Sequence, residues 1–358
     1  LKLIDRLLLG SFLKTLLQAL LGAITLFTLL DLFDHLGSFL DNEAPLALVG
    51  RYYLFKIPWI VDTTLPIAML MATLFTVGTL ARYNELTALF AAGRSLLQVT
   101  RPLLALAFVV MGFSLLWSEY VLPPANRQVQ HIWEVEVHHH PDRVRPTSDV
   151  PLQGADGRLY YARRYNPDRQ AISGFRAIAR RDDRITERYD AKRALWRDGN
   201  WVLYDVIHRR FDPDGGVTTA RQDSLVSGLR GISPEDFARD RVKPDAMNIR
   251  QLRRHIAMLE RGGNDATRYR VDLQFKFAFP FVHLIVVMLG ILLASGPRKT
   301  TIASGFGWTV LISFGYYLAI NFGRALGHTQ VLPPVVAAWI GNAGYLLAAV
   351  VLYLRLGR

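Results

Sequence analysis

Few residues in this chain have the types and spacing to do chemistry. His131, Glu134 and His138-His139-His140 form the one cluster of metal-ligand types. On a helix, two of those histidines would share a face, and tetrahedral zinc is the ion such ligands take. Ile132, Val135 and Val137 fit a partly buried element equally well, and no distant fourth ligand stands out. Asp62 is an ionisable residue inside an apolar run, where it could serve an embedded catalyst, an interhelical hydrogen bond or a pore lining. No Ser- or His-centred motif accompanies it, which favours the last two. Ser295-Gly296-Pro297-Arg298-Lys299-Thr300 ends like a phosphate loop, but it lacks both required glycines and joins two apolar runs. No catalytic residue is therefore assigned, and neither a metal nor a cofactor is expected on this chain.

The most patterned polar stretch is Ala81 to Ser95, ARYNELTALFAAGRS. The spacing predicts a short helix in which Asn84 caps the first turn and Glu85 sits at the positive end of the macrodipole. Leu86, Leu89 and Phe90 make an apolar stripe, Ala88, Ala91 and Ala92 a thin surface, and Gly93 with Arg94 a C-terminal stop. Such a helix, held between two apolar spans, suits either docking into a groove on another protein or lying on lipid headgroups.

The elements that position these residues are mostly membrane spans. The chain has 358 residues, 51% of them hydrophobic, with a mean hydropathy of +0.18 concentrated at its two ends. It contains no cysteine, so disulfides and thiolate metal sites are excluded. Lys and Arg number 42 against 30 Asp and Glu, which gives weak support to an anionic partner. Apolar runs at Leu7–Phe33, Tyr53–Leu80, Pro102–Tyr120, Phe277–Ser295, Ile302–Phe322 and Pro334–Leu354 predict six spans, three before and three after a polar insert. Basic residues flank one set of span ends: Lys2, Arg6, Lys14, Arg82, Arg94, Arg101, Arg298, Lys299, Arg355 and Arg358. That asymmetry puts both termini and the Ala81–Ser95 stretch in the cytoplasm and the insert outside.

The insert, Ala125 to Tyr269, reads as β. Leu159–Ala162, Ala171–Ala179, Ala191–Trp196, Trp201–Ile207 and Gly216–Ala220 are short apolar and β-branched runs set between turn signals. Asp198-Gly199 marks the clearest hairpin. Strands at this spacing suggest a sandwich or jelly roll. Ser233-Pro234-Glu235-Asp236 starts a helix, and a basic helix, Ile249 to Arg261, leads back toward the apolar runs. Val271 to Phe279 fits strand or helix.

This arrangement resembles the lipopolysaccharide export permeases of the LptF/LptG (YjgP/YjgQ) family across essentially the whole chain. The resemblance is carried by Leu3-Ile4-Asp5-Arg6, Leu80 to Ser95, Tyr269 to Leu293 with Lys276 and Pro280, and Leu332-Pro333-Pro334. The opening looks more like the LptG branch. It implies an α-helical integral membrane protein of six transmembrane helices (3+3) with an inserted periplasmic β-jelly-roll domain. Residues 1–124 would be spans one to three, with the coupling helix at 81–95. Residues 125–269 would be the periplasmic domain with its following basic helix, and 270–358 spans four to six. The resemblance also implies a bacterial inner-membrane transport subunit that is not itself an enzyme. Its partners would be a cytoplasmic ATPase dimer (the site of ATP and magnesium), a second permease of the family, periplasmic jelly-roll adaptor and bridge proteins, lipopolysaccharide and membrane lipid; no nucleic acid is involved. Arg82, Asn84, Glu85, Leu86, Leu89 and Gly93 would form the ATPase-coupling helix, with lipid entering between span one of one permease and span five of its partner.

The chain departs from the family at the outer end of span one, where LptG-like members often carry basic residues for lipid phosphates. Here the stretch holds Asp31, Asp34 and His35. Two carboxylates repel phosphate unless a divalent cation bridges them or a partner supplies Arg. Lys276 and Arg324 are the remaining basic candidates for lipid contact, or else anchor helix ends by snorkelling. Two other readings share some of these features: a membrane-embedded lipid-modifying enzyme centred on Asp62, and a permease of another ATP-driven transporter for lipids, lipoproteins or peptides.

Overall fold

A computed structural model describes residues 3–138, 147–154, 157–181, 184–212, 216–226, 232–238, 244–262, 264–296 and 302–356. The chain forms two compact units: one of Leu1–Trp133, Pro244–Ile249 and Thr267–Arg358, the other of Glu134–Lys243 and Arg250–Ala266.

The first unit is helical. Its elements are α1 (Leu3–Asp41), α2 (Leu46–Arg82), α3 (Glu85–Ala91), α4 (Leu96–Tyr120) and α5 (Leu122–His131) before the insert. In the second unit lie β1 (Thr147–Gln153), β2 (Leu159–Asn166), β3 (Ala171–Arg181), β4 (Arg184–Arg197), β5 (Asn200–Phe211), β6 (Val217–Val226), α6 (Pro234–Ala238) and nearly all of α7 (Ile249–Arg261). The helical unit resumes with α8 (Thr267–Ala278), α9 (Val282–Ala294), α10 (Ile302–His328) and α11 (Pro334–Leu356).

Among the described residues five helical segments are long and apolar enough to cross a membrane: α1, α2, α4, α8–α9 taken together, and α11. The remaining expected span falls on α10, whose 27 residues extend about 40 Å. The ambiguous stretch Val271 to Phe279 is helical. Pro280, which lacks an N–H, sits in a 3-10 turn at Phe279–Phe281 that separates α8 from α9. At this break Asn342 Nδ2 donates to Ala278 O at 2.7 Å, while Tyr316 Oη donates to Asn342 Oδ1 at 2.5 Å. A polar side chain from α11 thus satisfies a carbonyl at the break, as the absence of water in a bilayer requires.

Helix α2 runs through the core. Met69, Leu70, Leu74 and Val77 are buried with Phe12 of α1, Leu103 and Ala107 of α4, and Val286 and Val287 of α9. Small residues set the closest approaches. A Cβ on Gly290 would lie 2.9 Å from the Thr73 side chain, and one on Gly323 would lie 2.4 Å from Ala337 O, so the backbone of α9 meets a side chain of α2 and α10 meets α11 backbone to backbone. The outward residues of α1, including Leu13, Leu17, Leu21 and Leu26, are exposed and apolar, as a lipid-facing surface must be.

The second unit contains one antiparallel sheet in the order β1-β2-β3-β4-β5-β6. The β insert is present as expected, and its described strands form an up-and-down meander; the Greek-key connections of a jelly roll are not seen among them. The five expected strand runs lie on strands, except that Gly216 falls just before β6, and β1 is an addition. Asp198 and Gly199 both have positive φ, 50° and 76°, which is the primed turn a two-residue hairpin needs.

The ladder is interrupted along one row of the sheet. Ladder pairing skips Asp149, Arg163, Gly174, Lys192, Asp205 and Asp223, one residue on each successive strand. Asp149, Gly174 and Asp205, on alternate strands, have φ of 58°, 70° and 53°. Buried positions therefore jump by three there: Ala162 to Tyr165, Ile172 to Phe175, Ala191 to Ala194, Leu203 to Val206. Irregular residues of this kind bend a strand, and six in register make a crease across the sheet. Both sides of the crease contribute to one core, which Trp201, Phe237 and Ile232 complete.

Candidate functional site

The best-defined candidate feature is the turn between α2 and α4. Only Tyr83 and Asn84 separate α2 from α3, so the chain reverses sharply. Asn84 takes up the left-handed conformation (φ 59°) that its type tolerates. This corrects the expected cap: the Asn84 side chain makes no capping hydrogen bond, and the residue contributes its backbone carbonyl to Ala88 N–H instead. The expected stop at Gly93 is present as a Schellman motif, with Gly93 N–H bonded to Phe90 O and Arg94 N–H to Leu89 O, and Gly93 at φ 79°. Ser95 and Gln98 then form a capping box that starts α4.

Within α3, Leu86 is buried in the helical core and Leu89 packs against it, whereas Glu85, Ala88 and Phe90 are exposed. Arg82, also exposed, places its guanidinium 5.9 Å from the Tyr83 ring centre. Beside Glu85 lies a cavity of about 530 Å³, walled by Leu7 and Leu8 of α1, Thr76 and Leu80 of α2, and Ala88 and Leu89 of α3. A seven-residue helix has no stability of its own. Its position is set by the buried leucine and the two tight turns.

A second cluster joins α1 to α2. Lys56 Nζ is 2.6 Å from Asp31 Oδ1 and 2.9 Å from Tyr52 Oη, and Tyr53 Oη donates to Asp31 Oδ2 at 3.1 Å. His35 Nδ1 lies 2.8 Å from Asp31 O, and its ring meets Trp133 edge-on at 4.6 Å. The unusual carboxylate of the first span is therefore neutralised within the chain. Asp34 is exposed and makes no ion pair among the described residues. Sequence reasoning missed Lys56. The signal was available: it and Asp31 are isolated opposite charges in adjoining apolar runs.

The third cluster lies on α8 and α10. Asp272 Oδ1 is 3.1 Å from His328 Nε2 and 3.6 Å from Arg324 Nε, and the Arg324 guanidinium stands 4.9 Å over the Phe275 ring. Arg324 is thus engaged by the bundle. Lys276, one turn from Asp272, makes no direct ion pair among the described residues but sits in the field of Asp62, Glu119, Asp245 and Asp272. Asp62 has Lys276 as its charged neighbour, and Tyr317 of α10 donates to Thr63 O beside it. No nucleophile–base pair accompanies Asp62 among the described residues.

In the β unit, Asp190 is held by Arg176 Nε at 2.9 Å, Arg188 Nε at 2.7 Å and Arg209 Nη1 at 2.5 Å. Burial alone would raise its carboxyl, but the Arg188 and Arg176 hydrogen bonds and charges outweigh that, and its pKa lies below the ordinary carboxylate value. Tyr161 is pushed well above the usual phenol range, by burial first and then by its 2.5 Å bond to Asp149. Of the sequence-level metal candidates, His139 and His140 lie outside the described residues, as do Arg298 and Lys299. Among the described residues no three His, Asp or Glu side chains come together to hold an ion.

A family model described as "Lipopolysaccharide export system permease LptF/LptG" matches residues 6–355. The chain is 21% identical over 363 residues to the lipopolysaccharide export system permease protein LptG of Escherichia coli (strain K12), covering 98% of each chain. It is 20% identical over 322 residues to the LptG protein of Haemophilus influenzae, covering 84% of this chain and 83% of that one.

Proposed function

The chain belongs to the lipopolysaccharide export system permease LptF/LptG family, and from that premise we propose that it is the membrane subunit of an ATP-driven exporter. It takes lipopolysaccharide from the inner membrane and passes it to a periplasmic β bridge. The α2–α3–α4 turn faces the cytoplasm and docks into an ATPase dimer, which binds and hydrolyses ATP with magnesium. A second permease of the same family completes the lipid path. The β unit, in the periplasm, has β1 and β6 as its edge strands among the described residues, and strand addition by adaptor proteins would take place there.

The observation that carries the coupling role is the construction of α3: pinned through Leu86, bounded by two sharp turns, and exposing Glu85 at its amino end. A push on such a helix is transmitted to α2 and α4 rather than absorbed by a flexible loop. Work is needed because each buried methylene of an acyl chain holds the lipid by about 0.8 kcal/mol. The test is the charge reversal Glu85→Lys in the purified complex. The expected result is loss of ATPase association and of ATP-driven lipid release, with membrane insertion retained. ATPase docking and export at the unaltered level would refute the coupling assignment.

A further inference from the structure

We propose that the outward face of the β unit binds the phosphorylated saccharide part of a glycolipid, in a trough that follows the crease. The trough encloses about 490 Å³ and is lined from β2 to β6 by Arg163, Arg176, Asp190, Lys192, Asp205 and Arg221. At about 4.8 Å per strand, its ends are separated by roughly 19 Å of sheet. That shape suits an elongated small ligand, and the volume falls within the range of small-molecule sites.

The charges divide into a balanced middle and two free ends. Asp190 is engaged by Arg176, Arg188 and Arg209. Lys192 stands 3.5 Å from Asp205, an exposed pair that holds little energy. The side chains of Arg163 at one end and Arg221 at the other are exposed and make no hydrogen bond or ion pair among the described residues. Between the two guanidinium forks the middle is charge-balanced and also carries the apolar surfaces of Tyr161, Phe175 and Ile207; that combination matches a ligand with two anionic groups joined by a sugar spacer, whose hydroxyls meet the charges and whose C–H faces pack on the apolar floor. Arginine binds phosphate oxygens in bidentate fashion, whereas exposed lysine acts only as a point charge.

The crease builds this site. A Cβ at Gly174 would lie 2.9 Å from the Arg163 Cβ, so the missing side chain lets β2 and β3 approach there and leaves the floor open. The glycolipid source of the ligand rests on the exporter reading; the trough itself does not.

The test uses the full chain in detergent micelles, titrated with a fluorescent bisphosphorylated disaccharide, its dephosphorylated counterpart and inorganic phosphate. Binding of the bisphosphorylated probe, roughly tenfold weaker for each of Arg163→Gln and Arg221→Gln, is the expected result, since each removes one charge-assisted contact. Arg197→Gln, at the tip of the β4–β5 hairpin, should leave it unchanged. An unaltered thermal transition establishes that the variants fold. Equal binding of the dephosphorylated probe, or unchanged binding in the double variant, would overturn the proposal. So would inorganic phosphate competing on equal terms, or an acidic peptide binding where the saccharide does not. Each of those failures leaves the exporter reading standing, because the Glu85→Lys experiment judges it separately.

Discussion

Truncating Leu86 to alanine isolates the anchoring of α3 from its chemistry. Leu86 is 3% exposed in the helical core, whereas Glu85 beside it is in solvent. Leucine-to-alanine changes at buried sites cost about 2–5 kcal/mol. Helix α3 has seven residues and no independent stability, so the loss falls on the docked state of this one element. At 1.4 kcal/mol per tenfold, the lower figure raises the undocked population about 30-fold. Amide hydrogen exchange read by mass spectrometry should then accelerate by at least that factor in peptides covering 85–94. Peptides of α4 should be little changed, because the Ser95–Gln98 capping box starts that helix independently. In the reconstituted complex, ATP hydrolysis should continue while lipid release per ATP falls. Unchanged exchange in α3 would mean that Leu86 does not hold it. Equal acceleration in α2 and α4 would mean that the bundle, not the helix, had loosened.

Three further outcomes follow from the geometry. Lys56→Met takes the ammonium from the half-buried Asp31, which keeps the Tyr53 hydroxyl and the His35 ring, and should destabilise the helical unit by about 1–3 kcal/mol, while Lys56→Met with Asp31→Leu should recover most of it; thermal melts of the single and double variants in one detergent read the difference. Because the folded Asp190 pKa lies below its unfolded value of 3.8, its contribution is complete above about pH 4 and lost as pH falls through the folded value. Exchange in β4 and β5 should therefore rise in acid, and Asp190→Asn should flatten that dependence while weakening the sheet at neutral pH. Gly323→Val, whose Cβ would meet Ala337 O at 2.4 Å, should force α10 from α11 and lower the melting temperature, whereas Gly22→Val on the open face of α1 should not.

The fold was legible wherever one element obeyed one local rule. The spans were readable from length and hydropathy, and the helices extend beyond them: α1 begins at Leu3 and ends at Asp41, because polar interfacial residues continue a helix that hydropathy cannot follow. The Asp198-Gly199 hairpin was readable because the required positive φ is written in the residue types. β1, TSDVPLQ, was not, since it has no alternating apolar pattern and contains Pro151; it forms because β2 offers a partner along its length. The crease was equally hidden. Asp149, Gly174 and Asp205 look like unrelated turn-formers until the register aligns them.

The candidate site divides along the same line. The ends of α3 were legible because Gly93 and Ser95 act on neighbours within four residues, but the role of Asn84 was not, because a two-residue turn imposed the left-handed conformation over the capping preference. Charge meaning was the least legible, because it depends on partners distant in sequence. Asp31 reads alone as a repellent for phosphate, and reads differently once Lys56, 25 residues on, lies 2.6 Å away. The pair is close to neutral, so Asp31 itself neither attracts nor repels an anionic lipid, and the exposed carboxylate of that stretch is Asp34. Removing either partner would expose the charge of the other, and the two single changes must then act on headgroup binding in opposite directions. Asp31→Asn should strengthen retention of a phosphorylated lipid, and Lys56→Met should weaken it. Shifts of the same sign in both, measured by lipid co-purification, would show that the pair acts through stability alone.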